Sequence, residues 1–140
     1  TRGHRRDDLA DGALAGDATL QAGAPGGVWE DLAPEGIALP AIIFHIEPAG
    51  DIAVLPVVRI ASEFVCTVRA VGAGWSVATL EPLAARIDAL LHRAGADGGP
   101  AAGTGILSCV REQPFRYLED ADGAIYRHLG GEYRIQAQEV

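Results

Sequence analysis

The segment GTGILSCVREQPFRYLEDADGAIYRHLGGEYRIQAQ, residues 103–138, decides the fold of this chain. Two apolar-rich runs are joined by Asp120-Ala121-Asp122-Gly123, and Asp-Gly is a strong hairpin signal because both residues tolerate a positive φ. Apolar side chains recur at alternate positions in each run: Leu107, Cys109, Phe115 and Tyr117 in the first, and Ile125, Leu129, Tyr133 and Ile135 in the second. This spacing predicts the central hairpin of a β-sheet, with about 14 residues in each arm.

Two features predict irregularities within the hairpin. Pro114 has no N–H to donate to a neighbouring strand, so it indicates either a bulge or an edge position. Gly130 and Gly131 interrupt the alternation of the second arm, which predicts a bulge there.

The remaining chain supplies material that pairs with this hairpin or packs on it. A helix is predicted over 7–22, with a break near Gly16 and Asp17 at which Asp17 caps a second turn. The spacing of Leu80, Leu83 and Ile87 predicts a second helix over 76–93, capped by Ser76 or Thr79. Strands are predicted over 28–32, 40–48 and 62–71, with a turn at 49–51 and an edge strand or outward loop over 52–60.

These elements predict an α+β protein. We expect a single domain over 1–140, in which two helices pack on one face of a mostly antiparallel sheet of four to six strands. The alternating sets Ile42, Phe44, Ile46 and Phe64, Cys66, Val68, Ala70 supply apolar faces for this core. An unpaired edge of the sheet would favour self-association by strand addition.

Charge and composition exclude several function classes. The net charge of −8 argues against a protein held on nucleic acid by general basicity. All 11 basic residues are Arg, so neither a P-loop lysine nor a Schiff-base lysine is present. Cys66 and Cys109 lie within apolar runs, which favours two small buried side chains over a disulfide bond. No apolar run approaches 18 residues, so no membrane association is expected.

The chain carries no recognisable catalytic or cofactor motif. CxxC, HxxH, HExxH and GxSxG are absent, as is GxGxxG following a strand. The Gly-rich stretch 98–105 contains no lysine and opens no helix, so it is a poor phosphate-binding loop. We therefore expect no metal, no cofactor and no enzymatic activity.

Several polar and aromatic residues remain as candidates for other roles. His128 lies beside Tyr126 and Arg127 in the only suggestive histidine cluster, which favours a structural or interface role. The carboxylate pairs Glu30/Asp31 and Asp120/Asp122 flank turns, where acids are usually solvated. Trp29 and Trp75 each lie beside a turn and favour partial core or interface anchors.

Five segments, in order, resemble the tail-terminator (tail-completion) proteins of long-tailed bacteriophages and gene-transfer-agent-like particles. They are GGVWEDLAPEG at 26–36, PAIIFHI at 40–46, FVCTVRAVG at 64–72, LAARIDALLH at 83–92 and SCVREQPFRYLEDADGAIYRHLGGEYRIQAQ at 108–138. The segment Tyr126–Gly131, YRHLGG, is the most specific of them. The resemblance is one of pattern and order over most of the chain, and none of its segments is a catalytic motif.

The resemblance implies a structural virion protein that forms a ring, expected to be a hexamer. The ring would stop the tail tube at its head-proximal end, contact the tail tube protein and the neck or head–tail connector proteins, and be assembled in the host cytoplasm. DNA would pass through its lumen without specific binding, and we expect part of the excess acid to face that lumen because carboxylates repel phosphates. The candidate interface residues are Trp29, Glu30, Arg59, Arg69, Tyr126, Arg127 and His128.

Two other classes of function remain compatible with the sequence. A different neck component, such as a connector or stopper, would share the structural role but occupy another position in the particle. A small α+β enzyme or ligand-binding domain would need a pocket with convergent polar groups, which the sequence does not reveal. A ring further implies that the apolar segment 52–60 is covered by a neighbouring copy.

Overall fold

The computed structural model describes residues 11–54, 58–93 and 106–138. A π-helical turn over Asp11–Ala15 precedes two α-helices and five strands. The helices are α1 (Ala18–Gly23) and α2 (Glu81–Leu91); the strands are β1 (Val28–Glu30), β2 (Ala41–Val54), β3 (Val58–Ala73), β4 (Ile106–Ala121) and β5 (Ala124–Gln138). The predicted α+β class is confirmed.

The hairpin predicted from 103–138 is formed by β4 and β5. Asp122 and Gly123 form its turn with φ of 52° and 82°, the positive values that an Asp-Gly pair accepts readily. The sheet order is β1-β2-β3-β5-β4, so β5 is interior while β4 is an edge strand. The hairpin therefore lies at one side of the sheet and is not central, and Pro114 occupies an edge strand as predicted.

A second long hairpin forms the other half of the sheet. Strands β2 and β3 pair antiparallel from Ala41↔Val71 to Val54↔Val58, and β1 pairs parallel to β2. The turn predicted at 49–51 is wrong, because β2 continues through this region with a bulge between Pro48 and Gly50. Similarly, 52–54 and 58–60 are the ends of β2 and β3 and form no separate edge strand; Pro56 lies outside the described residues.

The bulge predicted at Gly130 and Gly131 is also wrong. Both glycines pair in regular register with β3 and β4. A Cβ on Gly130 would lie 1.8 Å from the carbonyl oxygen of Val68, so close approach of the β3 backbone explains the glycine. The bulges lie instead in β4, between Ile106 and Ser108 and between Arg111 and Gln113.

These β4 bulges change which side chains reach the core. The bulge next to Ile106 buries both Ile106 and Cys109, whereas the predicted core residue Leu107 is 48% exposed. Tyr117 is 53% exposed on this edge strand. In β5 the predicted alternation holds, because Tyr133 and Ile135 are buried and Leu129 packs against the core.

The helices cover one face of the sheet, here called the helix face. The predicted break is confirmed: the first helical segment ends before Asp17, whose side chain accepts a hydrogen bond from the Leu20 N–H and caps α1. Asp17 also accepts from Arg86 Nη2 at 2.7 Å, which joins α1 to α2, and this bond lowers the pKa of the Asp17 carboxyl. Helix α2 starts at Glu81, later than predicted, with Pro82 in its first turn and no side-chain cap. Ser76 instead accepts from the Ala78 N–H.

The hydrophobic core of the described residues lies between the helices and the sheet. Leu20, Leu83 and Ile87 pack from the helical layer. The sheet contributes the predicted faces, with these residues buried: Ile42, Phe44, Phe64, Cys66, Val68 and Ala70. Cys66 and Cys109 are both buried in this layer, as predicted, and burial raises the pKa of the Cys109 thiol to about 12.

Candidate functional site

The sheet face opposite the helices, here called the outer face, has no helix packed on it within the described residues. Strand register aligns one row of outer-face residues across all five strands: Trp29, Ile43, Arg69, Gly130 and Phe115. The face is only partly buried, since Ile43, Arg69 and Phe115 each retain intermediate exposure. This face combines partly exposed apolar and charged side chains, and we therefore treat it as the candidate functional site.

A groove of about 300 Å³ lies on the outer face beneath the segment that connects β1 to β2, and we call it the strap groove. Leu32, Ile37 and Leu39 of the connecting segment form one wall. Ile43 and Val71 of the sheet form the other, and the remaining lining residues include Asp31, Arg69, Glu119, Tyr126 and His128. The groove thus combines apolar walls with a small set of charged groups.

His128 is the polar centre of the strap groove and is only 6% exposed. Arg69 Nε donates to His128 Nδ1 at 3.1 Å, so Nε2 carries the proton and donates to Glu119 Oε1 at 2.9 Å. The Tyr117 ring meets the imidazole edge-on at a centroid distance of 5.5 Å. Burial is the main cause that lowers the pKa of His128. The hydrogen bond to Glu119 raises this pKa in part, and the positive charge of Arg69 lowers it further. Because both ring nitrogens are engaged, His128 has no lone pair available to act as a general base in this arrangement.

His45 lies on the same face in the opposite electrostatic environment. Its Nδ1 is 2.5 Å from Asp31 Oδ1 and its Nε2 is 3.0 Å from Glu47 Oε1. The hydrogen bond to Asp31, followed by that to Glu47, raises the pKa of His45. Since all three side chains are at least 45% exposed, this is a solvated ion cluster.

Carboxylates outnumber guanidinium groups on the outer face. Arg134 pairs with Glu112 at 2.9 Å and with Glu63 at 3.4 Å. By strand register and hydrogen bonding, the acidic side chains of this face are Asp31, Glu47, Glu63, Glu112, Glu119 and Glu132. Among the side chains that the structure describes, the guanidinium groups of this face are those of Arg69 and Arg134, so the strap groove lies in an acidic surround.

The structure brings together some of the predicted interface residues. Trp29, Arg69, Tyr126 and His128 all lie on the outer face, and the last three line the strap groove. The Trp29 indole is held by a hydrogen bond from Nε1 to the Gly26 carbonyl at 2.7 Å.

The other three predicted residues do not join this group. Glu30 is exposed on the alternate face of β1. Arg127 points away from Tyr126 and His128 and donates from Nε to the Trp75 carbonyl at 2.9 Å. The Arg59 side chain lies outside the described residues.

The predicted carboxylate pairs are not paired in space. Asp31, with φ of 64°, turns its side chain towards His45, whereas Glu30 lies on the other face of β1. Asp120 and Asp122 are exposed at the end of the β4–β5 hairpin. No arrangement of two carboxylates suited to acid–base chemistry results from either pair.

Sequence reasoning missed the His45 cluster and the role of Glu119. The period-two spacing of His45 and Glu47 predicts that both lie on one face of the strand, but it does not reveal that Asp31, 14 residues before His45, joins them. The contact between Glu119 and His128 depends on the register of the β4–β5 hairpin, which pairs His128 with Tyr117 and Tyr126 with Glu119. The two-residue Asp122-Gly123 turn sets this register, so the same signal that predicts the hairpin also places Glu119 and His128 on one face, in neighbouring pairs.

No protein-family model matches the chain, and no curated protein sequence matches it. Among the described residues, no group of three or more His, Cys, Asp or Glu side chains is arranged to hold a metal ion. The described helices include none with the length and hydrophobicity needed to cross a membrane.

Proposed function

We propose that this chain is a tail-terminator (tail-completion) subunit of a long-tailed bacteriophage or gene-transfer-agent-like particle. Copies would form a ring, expected to be a hexamer, that ends the tail tube at its head-proximal end and joins it to the neck. The resemblance of five sequence segments to this family supports the proposal. The structural observation that supports an assembling role is the outer face, a sheet surface with an apolar groove and no helix over it within the described residues.

The chemistry of this face favours a contact surface over a reaction site. His128 has both nitrogens engaged, and His45 is bound between two carboxylates. Large apolar side chains are nevertheless exposed at or beside the face, including Leu32 at 84%, Tyr117 at 53% and Val110 at 44%. Exposed apolar groups rimmed by charges are typical of protein–protein contacts.

The resemblance implies that DNA passes through the ring, and the charge of the chain is compatible with passage without tight binding. The net charge of −8 and the acidic surround of the outer face disfavour tight binding to phosphate. We expect part of the excess acid to face the ring lumen, where carboxylates would repel the phosphates and let the duplex slide. Electron microscopy of the assembled ring tests this point, and a basic lumen would contradict it.

The first experiment measures the assembly state of the purified protein. Light scattering after size exclusion, alone and with the tail tube protein of the same virus, is expected to show a ring-sized mass, with rings visible by negative-stain microscopy.

A matched pair on β4 tests the surface involved: Tyr117 belongs to the outer face, whereas its neighbour Arg116 points to the opposite side. Tyr117→Ser should weaken assembly and Arg116→Ser should not. If the protein remained monomeric under every condition, including in the presence of the tail tube protein, the result would contradict the proposal.

A further inference from the structure

Trp75 is an exposed aromatic side chain on an anchored main chain. It is 66% exposed, which is unusual for a large apolar residue, and it begins the connection between β3 and α2. Its carbonyl accepts a hydrogen bond from Arg127 Nε at 2.9 Å, and the preceding Gly74 N–H donates to the Ile125 carbonyl at 2.8 Å. These bonds already order the Trp75 backbone, so burial of the indole would need to order only its side chain.

The strap groove has the size and chemistry to receive one large aromatic side chain. Its volume of about 300 Å³ lies at the lower end of the range for ligand pockets, about 300–1,000 Å³. Arg69 contributes a half-buried guanidinium whose only hydrogen bond within the described residues runs from Nε to His128. An aromatic face laid against a partly desolvated guanidinium is a favourable pairing, and tryptophan is the best aromatic partner for it.

We propose that the Trp75 indole of one copy inserts into the strap groove of a second copy of this chain. The charges agree with this occupant, because Arg127 lies beside Trp75 while the strap groove is lined by the two carboxylates of Asp31 and Glu119 against the one guanidinium of Arg69. The incoming cation would therefore meet carboxylates. This inference rests on the proposed function and specifies how neighbouring ring subunits would contact each other.

The positions of the two patches define the type of interface. Side chains of β5 alternate, so Arg127 points to the side opposite Tyr126 and His128. The main-chain carbonyl of Trp75 is bound by Arg127. The strap groove, in contrast, lies on the outer face with Tyr126 and His128. The inserted residue and the groove that receives it are two different patches of the chain, and a head-to-tail contact between such patches gives a ring when the rotation between copies closes.

Tryptophan fluorescence tests the insertion directly. Trp29 and Trp75 are the two tryptophans of the chain, so Trp29→Phe leaves Trp75 as the sole indole. In this variant, Trp75 emission and acrylamide quenching are measured across protein concentrations, alongside the mass from light scattering. We expect a blue shift and reduced quenching in step with the rise in mass. Wild-type protein followed by light scattering controls for any effect of the Trp29 substitution on assembly.

Substitutions on each patch provide an independent test. Trp75→Ala should raise the apparent dissociation constant by about 30-fold or more, the effect of a central tryptophan hot spot. Leu32→Arg, at an exposed position of the groove wall, should weaken association because it removes apolar contact and repels the incoming Arg127. Each variant retains the patch that the other lacks, so an equal mixture should form heterodimers that do not extend. Leu107→Ala removes a similarly exposed apolar side chain elsewhere and should leave association unchanged.

The outcomes separate this inference from the proposed function. Rings formed by Trp75→Ala with wild-type affinity, or a Trp75 that stays exposed in assembled rings, would overturn the insertion and leave the ring function standing. Burial of Trp75 in an assembly that is not a ring would support the insertion and contradict the ring. A wild-type protein that stays monomeric at all concentrations would overturn the insertion between copies.

Discussion

The two faces of the sheet are built from the same strands but follow different physical rules. On the helix face, apolar side chains are buried against two helices, as shown by Phe44, Val68 and Ile135, each at most 2% exposed. On the outer face, the alternate residues form hydrogen bonds and ion pairs across strands and remain partly exposed, as with Arg69 and Glu119 around His128. The helix face therefore stabilises the single chain, whereas the outer face keeps partly exposed side chains that a partner could contact.

The largest expected effect separates two neighbouring residues of β2. Phe44→Ala should destabilise the protein by about 3–5 kcal/mol, because Phe44 is fully buried on the helix face and a cavity would remain. Ile43→Ala, one residue earlier on the outer face, should cost under about 1.5 kcal/mol because Ile43 is only partly buried. Urea unfolding of both variants at a concentration where the protein is monomeric measures the difference. Equal losses would mean that the outer face is as much a core as the helix face.

A second prediction compares the adjacent glycines of β5. Gly130→Ala should cost about 3 kcal/mol, because its Cβ would collide with the β3 backbone at the Val68 carbonyl. Gly131→Ala should cost about 1 kcal/mol, since its nearest neighbours are the Arg111 and Tyr133 side chains at 3.2 Å, which can shift. Thermal unfolding of the two variants gives the order. If Gly130→Ala lost less stability than Gly131→Ala, strands β3 and β5 would be able to move apart at this position without a large cost.

A third prediction concerns the junction of the two helices. Asp17→Ala should cost about 1 kcal/mol through the lost cap of α1, whereas Asp17→Asn should retain the cap and lose only the charge partner of Arg86. The pKa of Asp17 is lowered in the folded protein, so its contribution is complete above the unfolded pKa of about 3.9. That contribution should disappear as pH falls through the lower folded value. Urea unfolding from pH 3 to pH 7 checks this, and a wild-type profile parallel to that of Asp17→Asn would contradict it.

The smallest expected effect distinguishes two histidines of the outer face. Burial lowers the pKa of His128 in the folded protein. As pH falls below about 6.5, the imidazole of the unfolded chain is therefore protonated before that of the folded protein, and the free energy of unfolding should decrease. Because the pKa of His45 is raised by Asp31 and Glu47, its contribution is complete below about 6.5 and should be lost as pH rises through the folded value. NMR titration of the imidazole resonances should place His45 above His128. The reverse order would mean that the outer-face network differs from the one described.

The sequence predicted most of the helix face because that face is encoded by local periodicity. The sets Ile42/Phe44 and Phe64/Cys66/Val68 were read from alternation and are all buried. Alternation failed at Leu107 because a bulge shifts the phase of β4, and a bulge depends on how two strands fit. The same reason accounts for Gly130, where a close strand approach replaces the expected bulge.

The outer face was predicted only in part. Arg69, Tyr126 and His128 were singled out and lie together at the strap groove, but their partner Glu119 was not, and Trp75 was recognised only as a residue beside a turn. Ion pairs across strands join residues 9 to 71 positions apart, such as His128 with Glu119 and Arg134 with Glu63. The Asp-Gly turn sets the register that brings Glu119 to His128, whereas no local signal marks the pair of Arg134 with Glu63.

The sequence alone predicted the α+β class, the Asp-Gly hairpin, the break at Asp17 and the apolar faces of β2 and β3. These features depend on backbone preferences and on spacings within one element, which are legible along the chain. Only the tertiary structure decided the strand order, the bulges of β4, the strap groove and the opposite environments of His45 and His128. Those depend on which distant strands meet and in what register, and hence on a packing energy summed over the whole sheet.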